Sequence, residues 1–225
     1  KRRRRSFVYQ IAIVGYTNAG KSTIFNRLAE ETTKEEDLLF ATLDPLTRKI
    51  HLPSGFECLL TDTVGFLQDL PTSLIAAFKS TLEEVTEADF LLHVVDASHP
   101  DHEQHIQTVH SILKELNADT IPMLTVYNKS DLLKDEFIPL EHPSLVISAY
   151  NENDLATLLI KIEEQLTGDW QPYHLMLQPN QGKALHRLAK YSIIVKKYFD
   201  ESTNMYVVEG YMPKKYPIEM ITEGE

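Results

Sequence analysis

The sequence predicts an α/β protein built on a doubly wound, mostly parallel sheet of six strands, followed by a small α+β module. Six short and nearly continuous apolar runs are typical of strands buried on both faces. Helical patterns lie between most of these runs, and such alternation produces parallel strands with helices on both faces. A glycine-bearing loop directly after the first run is the third observation, because it joins a strand to a helix.

The elements follow one another in a regular order. We expect strands at residues 7–14, 47–52, 56–62, 89–96, 121–127 and 144–148. We expect helices at 22–29, 73–85, 101–116 and 153–166, where apolar residues recur with helical spacing. Pro53-Ser54-Gly55 predicts a hairpin turn, so the second and third strands should form an antiparallel pair at one edge.

The last 59 positions predict a separate, smaller fold. Residues 167–172 are interpreted as the end of the last helix and a linker. A strand at 173–177, a helix opening near Pro179 and strands at 192–199 and 205–211 would form a β-α-β-β module. The predicted domains are therefore a basic leader (1–6) from an upstream helical region, a nucleotide-binding domain (7–168) and a C-terminal domain (169–225).

The amino-acid composition limits which partners and which cellular compartments fit this protein. The net charge of the 225 residues is −11, although residues 1–5 are all basic, so most of the surface should repel nucleic-acid backbones. The leader is equally well explained as a solvated charge run. No apolar run approaches the ~20 residues that span a bilayer, and the single cysteine, Cys58, fits a reducing cytoplasm. Because the chain begins without Met, we expect it to be part of a longer protein.

The segment 15–22, Gly-Tyr-Thr-Asn-Ala-Gly-Lys-Ser, has the spacing of a phosphate-binding loop. Gly15 and Gly20 permit a tight turn whose N–H groups converge on phosphates at the start of the next helix. Lys21 then reaches the β and γ phosphates, and the Ser22 hydroxyl can ligate Mg²⁺. A plain glycine turn is the alternative, but it requires no Lys-Ser. The predicted contacts are Gly15, Tyr16, Thr17, Asn18, Ala19, Gly20, Lys21, Ser22 and Thr23.

Further polar residues follow later strands. Asp62, at the end of the third strand, can reach Mg²⁺ through water, and the Gly65 N–H can bind a γ phosphate. An acidic turn is the alternative reading of Asp62 considered alone. Asp131 can accept hydrogen bonds from N1–H and the exocyclic amine of guanine, whereas adenine would leave it unpaired. In the same motif, Asn128 braces the loop and Lys129 lies along the base.

The tripeptide Ser148-Ala149-Tyr150 ends the sixth strand and places the Ala149 N–H near the guanine oxygen. Loops at the carboxyl ends of four strands therefore carry nucleotide-binding residues in the expected order. Together they resemble a P-loop GTPase of the translation-factor-related class, with GTP or GDP and Mg²⁺ as the bound cofactors.

A narrower resemblance comes from the segment 40–45, Phe-Ala-Thr-Leu-Asp-Pro, which resembles the first switch of the HflX family. Residues 62–66, Leu70-Pro71 and 81–84 resemble that family's second switch and the helix after it. The Obg family is the alternative, but it has a Thr-Leu-x-Pro switch. The HflX resemblance implies a cytoplasmic GTPase that binds the large ribosomal subunit, in rescue, splitting or recycling of ribosomes. Its ribosomal RNA contacts would come mainly from an upstream region.

The resemblance also suggests catalytic roles. Thr42 is the better candidate for the switch hydroxyl on Mg²⁺, and Thr47 is the lesser one, so the predicted metal set is Ser22, Thr42 and Asp62. Phe66 occupies the place where many GTPases have a water-orienting Gln, so intrinsic hydrolysis should be slow and stimulated by the ribosome. The catalytic candidates are Lys21, Thr42, Gly65 and Asn18.

Asn18 has two explanations. It can help to hold K⁺ near the transferring phosphoryl group, or it can simply tolerate the turn conformation.

The protein as a whole is either a GTP-driven switch or a nucleotide-stabilised binding module with negligible hydrolysis, and we expect a monomer. His99, His102 and His105 are better explained as a solvated helix start than as a zinc site.

Overall fold

The computed structural model describes residues 8–32, 47–63, 65 and 82–222. These residues form two compact units. The first unit comprises the described residues of Tyr9–Ile50 and Cys58–Lys161. The other, the C-terminal unit, comprises those of Lys1–Val8, His51–Glu57 and Ile162–Glu225. The predicted domain boundary at residue 168 stays a prediction.

A six-stranded sheet confirms the predicted α/β fold. The strands are β1 (Gln10–Gly15), β2 (Thr47–His51), β3 (Glu57–Asp62), β4 (Phe90–Asp96), β5 (Met123–Asn128) and β6 (Ser144–Val146). Across the sheet they have the order β2-β3-β1-β4-β5-β6. The pairs β1–β3, β1–β4, β4–β5 and β5–β6 are parallel. Because β1, β3, β4 and β5 run parallel, their carboxyl ends meet at one edge of the sheet.

Burial explains why the strands read as continuous apolar runs. In β1 the residues from Ile11 to Gly15 are all buried, as are those from Phe90 to Val95 in β4, because helices cover both faces of a parallel sheet. The predicted hairpin joins β2 and β3. Leu52 N donates to Phe56 O at 2.9 Å, and Gly55 has a φ of +91°, which favours glycine.

The helices of this part of the chain follow the predicted sites closely. They are α1 (Lys21–Thr32), α2 (Glu83–Glu87), α3 (His102–Glu115) and α4 (Glu152–Asp169), with a 3₁₀ turn at Ser130–Leu132. Most of the helix predicted at 73–85 lies outside the described residues. The inner face of α3 carries a helical stripe of buried residues, Ile106, Val109, Ile112 and Leu113.

The C-terminal part has the predicted β-α-β-β order and a small core of its own. Its elements are β7 (Gln171–Leu177), α5 (Gly182–Tyr191), β8 (Ile193–Asp200), β9 (Met205–Met212) and a final turn of helix, α6 (Glu219–Thr222). The three strands pair antiparallel in the order β7-β9-β8. Among the described residues, every helix is too short or too polar to cross a membrane.

The predicted linker at 167–172 is wrong. The helix α4 continues through Gly168 to Asp169, and β7 begins at Gln171. Trp170 lies between them, buried, with its ring 5.0 Å from the ring of Phe56. Pro172 is tolerated because β7 is an edge strand of its sheet, where alternate N–H groups point away from the neighbouring strand.

Candidate functional site

A cavity of about 780 Å³ opens at the carboxyl edge of the six-stranded sheet. Residues that follow β1, β3, β5 and β6 line it, so four separate chain segments meet there. They include most of the sequence-predicted contacts: Tyr16, Thr17, Asn18, Gly20, Lys21, Ser22, Thr23, Asp62, Gly65, Asn128, Lys129, Asp131, Ala149 and Tyr150. Thr63 and Leu132 also line the cavity and were not predicted.

The phosphate loop requires its glycines for steric reasons. A Cβ atom on Gly15 would lie 2.3 Å from the carbonyl oxygen of Val94, and one on Gly20 would lie 2.2 Å from Nδ2 of Asn128. Gly20 also has a φ of +98°. Asn18 has a φ of +68°, a conformation in which Asn is enriched among non-glycine residues. The turn ends where α1 begins, at Lys21, so the positive end of the helix faces the cavity.

Lys21, Ser22 and Asp62 form the polar floor of the cavity. The buried ammonium of Lys21 donates to Asp62 Oδ1 at 3.3 Å and to the carbonyl oxygen of Thr63 at 3.0 Å. The Ser22 hydroxyl donates to Asp62 Oδ2 at 2.9 Å. A cation and a helix N-terminus therefore lie beside a paired hydroxyl and carboxylate. This arrangement suits a phosphate chain with a hard divalent cation.

Asn128 holds three loops together from the end of β5. Its Nδ2 donates to the carbonyl oxygen of Ala19, and its Oδ1 accepts from the backbone N–H of Ala149, each at 3.0 Å. The side chain is 2% exposed, so both bonds lie in the interior. The Ala149 N–H, expected near a guanine oxygen, is thus already donated to Asn128.

Among the other base-loop residues, Lys129, Asp131 and Tyr150 line the cavity, whereas Ser148 does not. Lys129 has a φ of +66° and donates from Nζ to the carbonyl oxygen of Asn18 at 2.7 Å. Asp131 lies in the exposed 3₁₀ turn, and Tyr150 is 72% exposed at the rim. Ser148 is buried, and its backbone N–H donates to Asp154 Oδ2 at 2.8 Å. The Asp131 carboxylate and the Tyr150 ring are therefore accessible to a nucleotide base.

The predicted first switch, 40–45 with Thr42, lies outside the described residues. So do five residues of the predicted second switch and the helix after it: Val64, Phe66, Leu70, Pro71 and Thr81. Thr47, the lesser candidate, begins β2, with its hydroxyl oxygen 3.4 Å from Oγ1 of Thr61. Gly65 is described, and a Cβ there would lie 2.8 Å from Cγ2 of Thr17. Glycine at this position therefore allows the backbone of residue 65 to lie against Thr17 of the phosphate loop.

A second cavity, of about 460 Å³, lies beside the phosphate loop, between residues 16–19, the end of β4 and the start of α3. His93 projects from β4 into this region and is buried, and burial, with a smaller contribution from His110, lowers its pKa to about 3. The ring of His105 stacks on that of Tyr16 with 4.0 Å between centroids. His105 is therefore half-buried at the start of the helix, with one face of its ring covered by Tyr16.

Asp96, at the carboxyl end of β4, lies beside the base loop and was not predicted from the sequence. Its Oδ2 accepts from Lys129 Nζ at 3.0 Å, and its Oδ1 accepts from the N–H and hydroxyl of Ser98 at 2.9 and 2.5 Å. Burial alone would raise its pKa, but the bonds from Ser98 and Lys129 and the charge of Lys129 outweigh burial and lower the pKa. Its place at the same sheet edge as Asp62 is the signal that would have identified it.

The fold, the phosphate loop and the base loop define the class: this is a P-loop GTPase. A family model described as "50S ribosome-binding GTPase" matches residues 10–129. Among solved structures, the chain is similar to a GTP-binding protein from the hyperthermophilic archaeon Sulfolobus solfataricus in complex with GDP. That match has 26% identity and a TM-score of 0.57, and it covers 70% of this chain and 52% of the other.

Curated relatives narrow the class. The GTPase HflX of Alkalihalophilus pseudofirmus is 53% identical over 94% of this chain and 50% of its own length. The GTPase HflX of Escherichia coli is 40% identical over 85% of this chain and 46% of its own length. The chain belongs to the HflX family of GTPases. It spans about half the length of the curated relatives it matches.

Proposed function

We propose that this chain is the GTP-binding and GTP-hydrolysing switch portion of a protein that associates with the large ribosomal subunit. The proposal that this chain binds a guanine nucleotide rests on one observation. A single cavity brings together Lys21, Asp62 and Asp131 from three strand ends. Its size, about 780 Å³, lies within the range of pockets that enclose small ligands. The proposal predicts micromolar or tighter binding of GTP and GDP, and no measurable binding of ATP.

Guanine selection would rest on Asp131. Since the N–H of Ala149 is bound to Asn128, the exposed Asp131 carboxylate is the acceptor that distinguishes guanine from adenine. Asp131→Asn should weaken GTP binding at least a hundredfold and favour xanthosine triphosphate, whose 2-oxo group can accept from the new amide. Asp135→Asn, an exposed change on the same segment, is the matched control. Unchanged GTP affinity in Asp131→Asn would exclude this role.

Mg²⁺ fits the floor of the cavity. Ser22 and Asp62 offer a hydroxyl and a carboxylate oxygen 2.9 Å apart, the ligand types that Mg²⁺ prefers. Thr42 is our proposed third protein contact, made in the GTP state. When bound, the ion would neutralise charge on the phosphates. Chelation with EDTA should accelerate nucleotide release in the parent protein, and Ser22→Ala should reduce that acceleration; an unchanged EDTA effect in this variant would contradict the assignment.

Lys21 is the proposed phosphate ligand. Its ammonium now balances Asp62, and a nucleotide would replace part of that pairing with phosphate oxygens. Lys21→Met should abolish GTP binding, whereas Lys49→Met, an exposed change on β2, should not. Equal GTP affinity in the two variants would overturn the site assignment. Phosphoryl transfer asks mainly for positioning and charge neutralisation, which Lys21, the Gly65 N–H and the loop would supply.

K⁺ is a proposed additional cofactor, through Asn18. The Asn18 carbonyl oxygen is taken by Lys129, whereas its side chain is exposed and forms no hydrogen bond with the described part of the chain. Its positive φ supports the alternative, tolerance of the turn. Turnover in K⁺ and in Na⁺ separates the two: higher turnover in K⁺, lost in Asn18→Gly, supports the cation role, and equal turnover excludes it.

Ribosome association is supported by the family. We propose slow intrinsic hydrolysis, because Phe66 cannot hold a hydrolytic water by hydrogen bonding, with acceleration by the large subunit. A hundredfold stimulation, about 3 kcal/mol, would support a switch. No stimulation would favour the alternative of a nucleotide-stabilised binding module. Binding to assembled ribosomes would support rescue or recycling, whereas binding to immature large subunits would support the alternative, an Obg-like role in ribosome assembly.

The remaining proposals follow from the ribosome role. We propose that the protein acts in the cytoplasm, where that partner resides, as a monomer without membrane insertion. Most ribosomal RNA contacts would come from the upstream region, since residues 6–169 are strongly acidic. Gel filtration checks the monomer, and cosedimentation with 50S subunits, with and without the upstream region, checks the assignment of RNA contacts.

A further inference from the structure

A charged bridge connects the guanine loop to the phosphate loop. The Lys129 ammonium lies between the Asn18 carbonyl oxygen, at 2.7 Å, and Asp96 Oδ2, at 3.0 Å. Lys129 follows β5, Asn18 follows β1 and Asp96 is the last residue of β4, so three different strands are involved. One lysine is therefore fixed by two partners that do not belong to its own loop.

From this geometry we infer that Asp96 is a positioning residue for nucleotide binding, acting through Lys129 on the base and phosphate loops together. The inference rests on the proposed guanine-nucleotide function. Lys129 holds a left-handed backbone conformation, φ +66°, that a lysine rarely adopts and that requires support from its surroundings. The ion pair to Asp96 and the bond to Asn18 supply such support. With Lys129 in place, its stem can lie along the base while Asp131 accepts from the base edge.

Both oxygens of the Asp96 carboxylate accept hydrogen bonds. Oδ1 accepts two hydrogen bonds from Ser98, and Oδ2 accepts from Lys129. Both oxygens thus face donors. An Asn at this position would have to turn its NH₂ group toward Ser98 or toward Lys129, and either choice places a donor against a donor. Asp96→Asn therefore keeps the shape of the side chain but removes the charge of the ion pair and leaves either Ser98 or Lys129 facing a donor.

The pair is only partly buried, with the side chains 29% exposed for Lys129 and 17% for Asp96. Solvent screening limits the effect compared with a fully buried pair. For a charge-assisted hydrogen bond in such a setting, we expect Asp96→Asn to accelerate GDP release about tenfold. GTP release should change by a similar factor, since the bridge contacts neither the γ phosphate nor the Mg²⁺ ligands.

The test is a double-mutant cycle on the dissociation rate of a fluorescent GDP analogue, with the parent chain, Asp96→Asn, Lys129→Met and the double variant. If Asp96 acts through Lys129, the tenfold effect of Asp96→Asn disappears in the Lys129→Met background. A purely structural defect would instead add to the Lys129→Met effect, and that additive result would overturn the inference. Asp101→Asn, an exposed change five residues further along, is the matched control.

Ser98→Ala supplies an independent measurement should Asp96→Asn not fold. It leaves the ion pair in place but removes the hydroxyl that orients the carboxylate, so we expect release to accelerate about threefold. Release unchanged in every variant, with normal binding by the parent chain, would overturn the role of Asp96 and leave the proposed function intact. A folded parent chain that binds no guanine nucleotide would overturn both.

Discussion

Protonation of His93 should weaken the first unit at mildly acidic pH. The folded-state pKa of about 3 lies below the ordinary value of 6.5, because burial disfavours the charged ring and His110 adds repulsion. The folded state therefore binds fewer protons than the unfolded state between these two values. The contribution of uncharged His93 to the free energy of unfolding is fully present above pH 6.5 and is lost as the pH falls toward 3. With these values, the loss between pH 7 and pH 5 is about 2 kcal/mol.

The assay is urea denaturation at pH 7, 6 and 5, followed by far-ultraviolet circular dichroism. Other groups titrate as well, so the informative quantity is the difference between the parent chain and His93→Leu. That variant removes the buried imidazole and should lose about 2 kcal/mol less than the parent chain over this interval. His142→Gln, a change at an exposed histidine of the same unit, should follow the parent chain.

An equal loss in the parent chain and His93→Leu would refute the reasoning. In that case His93 would be charged without cost in the folded state, and the adjoining cavity would be wet enough to solvate an imidazolium. His105 lines the same cavity, and burial followed by repulsion from His99 lowers its pKa too. Its contribution has the same sign but remains in both proteins, so it cancels in the difference.

Three substitutions test separate parts of the structure. Gly20→Ala would place a Cβ 2.2 Å from Nδ2 of Asn128 at a φ of +98°, so nucleotide affinity should fall at least tenfold in a binding titration. Gly210→Ala would place a Cβ 2.2 Å from the carbonyl oxygen of Ile193 in β8. It should destabilise the C-terminal unit by about 1–3 kcal/mol, measured by denaturation with the fluorescence of Trp170, the sole tryptophan, as the signal. Tyr150→Ala should weaken nucleotide binding about tenfold, and Tyr150→Phe should not, if the exposed ring stacks on the base. Unchanged values in the alanine variants would contradict these three assignments.

The fold was predictable because its main signal is local. Each buried parallel strand is a continuous apolar run, and β1, β3, β4 and β5 were each predicted within three residues of their ends. The error at residues 167–172 has a physical cause. Gly168 and Pro172 usually stop an element, but a glycine near a helix end costs only about 1 kcal/mol. Whether Pro172 lies on an edge strand depends on strand order, which the local sequence does not contain.

The site was predictable where function needs backbone geometry or a fixed residue type. The loop 15–22 and the segment 128–131 have spacings set by the chemistry of phosphate and guanine. Asp96 escaped prediction because its partner, Lys129, is 33 residues away and only the parallel pairing of β4 with β5 brings them together. The pKa of His93 likewise depends on burial created by distant segments.

The side chains of Asn128 and Lys129 connect the base loop to the phosphate loop. Asn128 connects Ala19 to Ala149, and Lys129 connects Asn18 to Asp96, so protein groups alone join the base and phosphate loops. Ordering these loops is part of folding the first unit, and binding then loses less conformational entropy. It follows that disruption of either connection should act mainly on nucleotide affinity and release. The hydrolysis step, which depends on the switch segments and Mg²⁺, should change much less at saturating GTP.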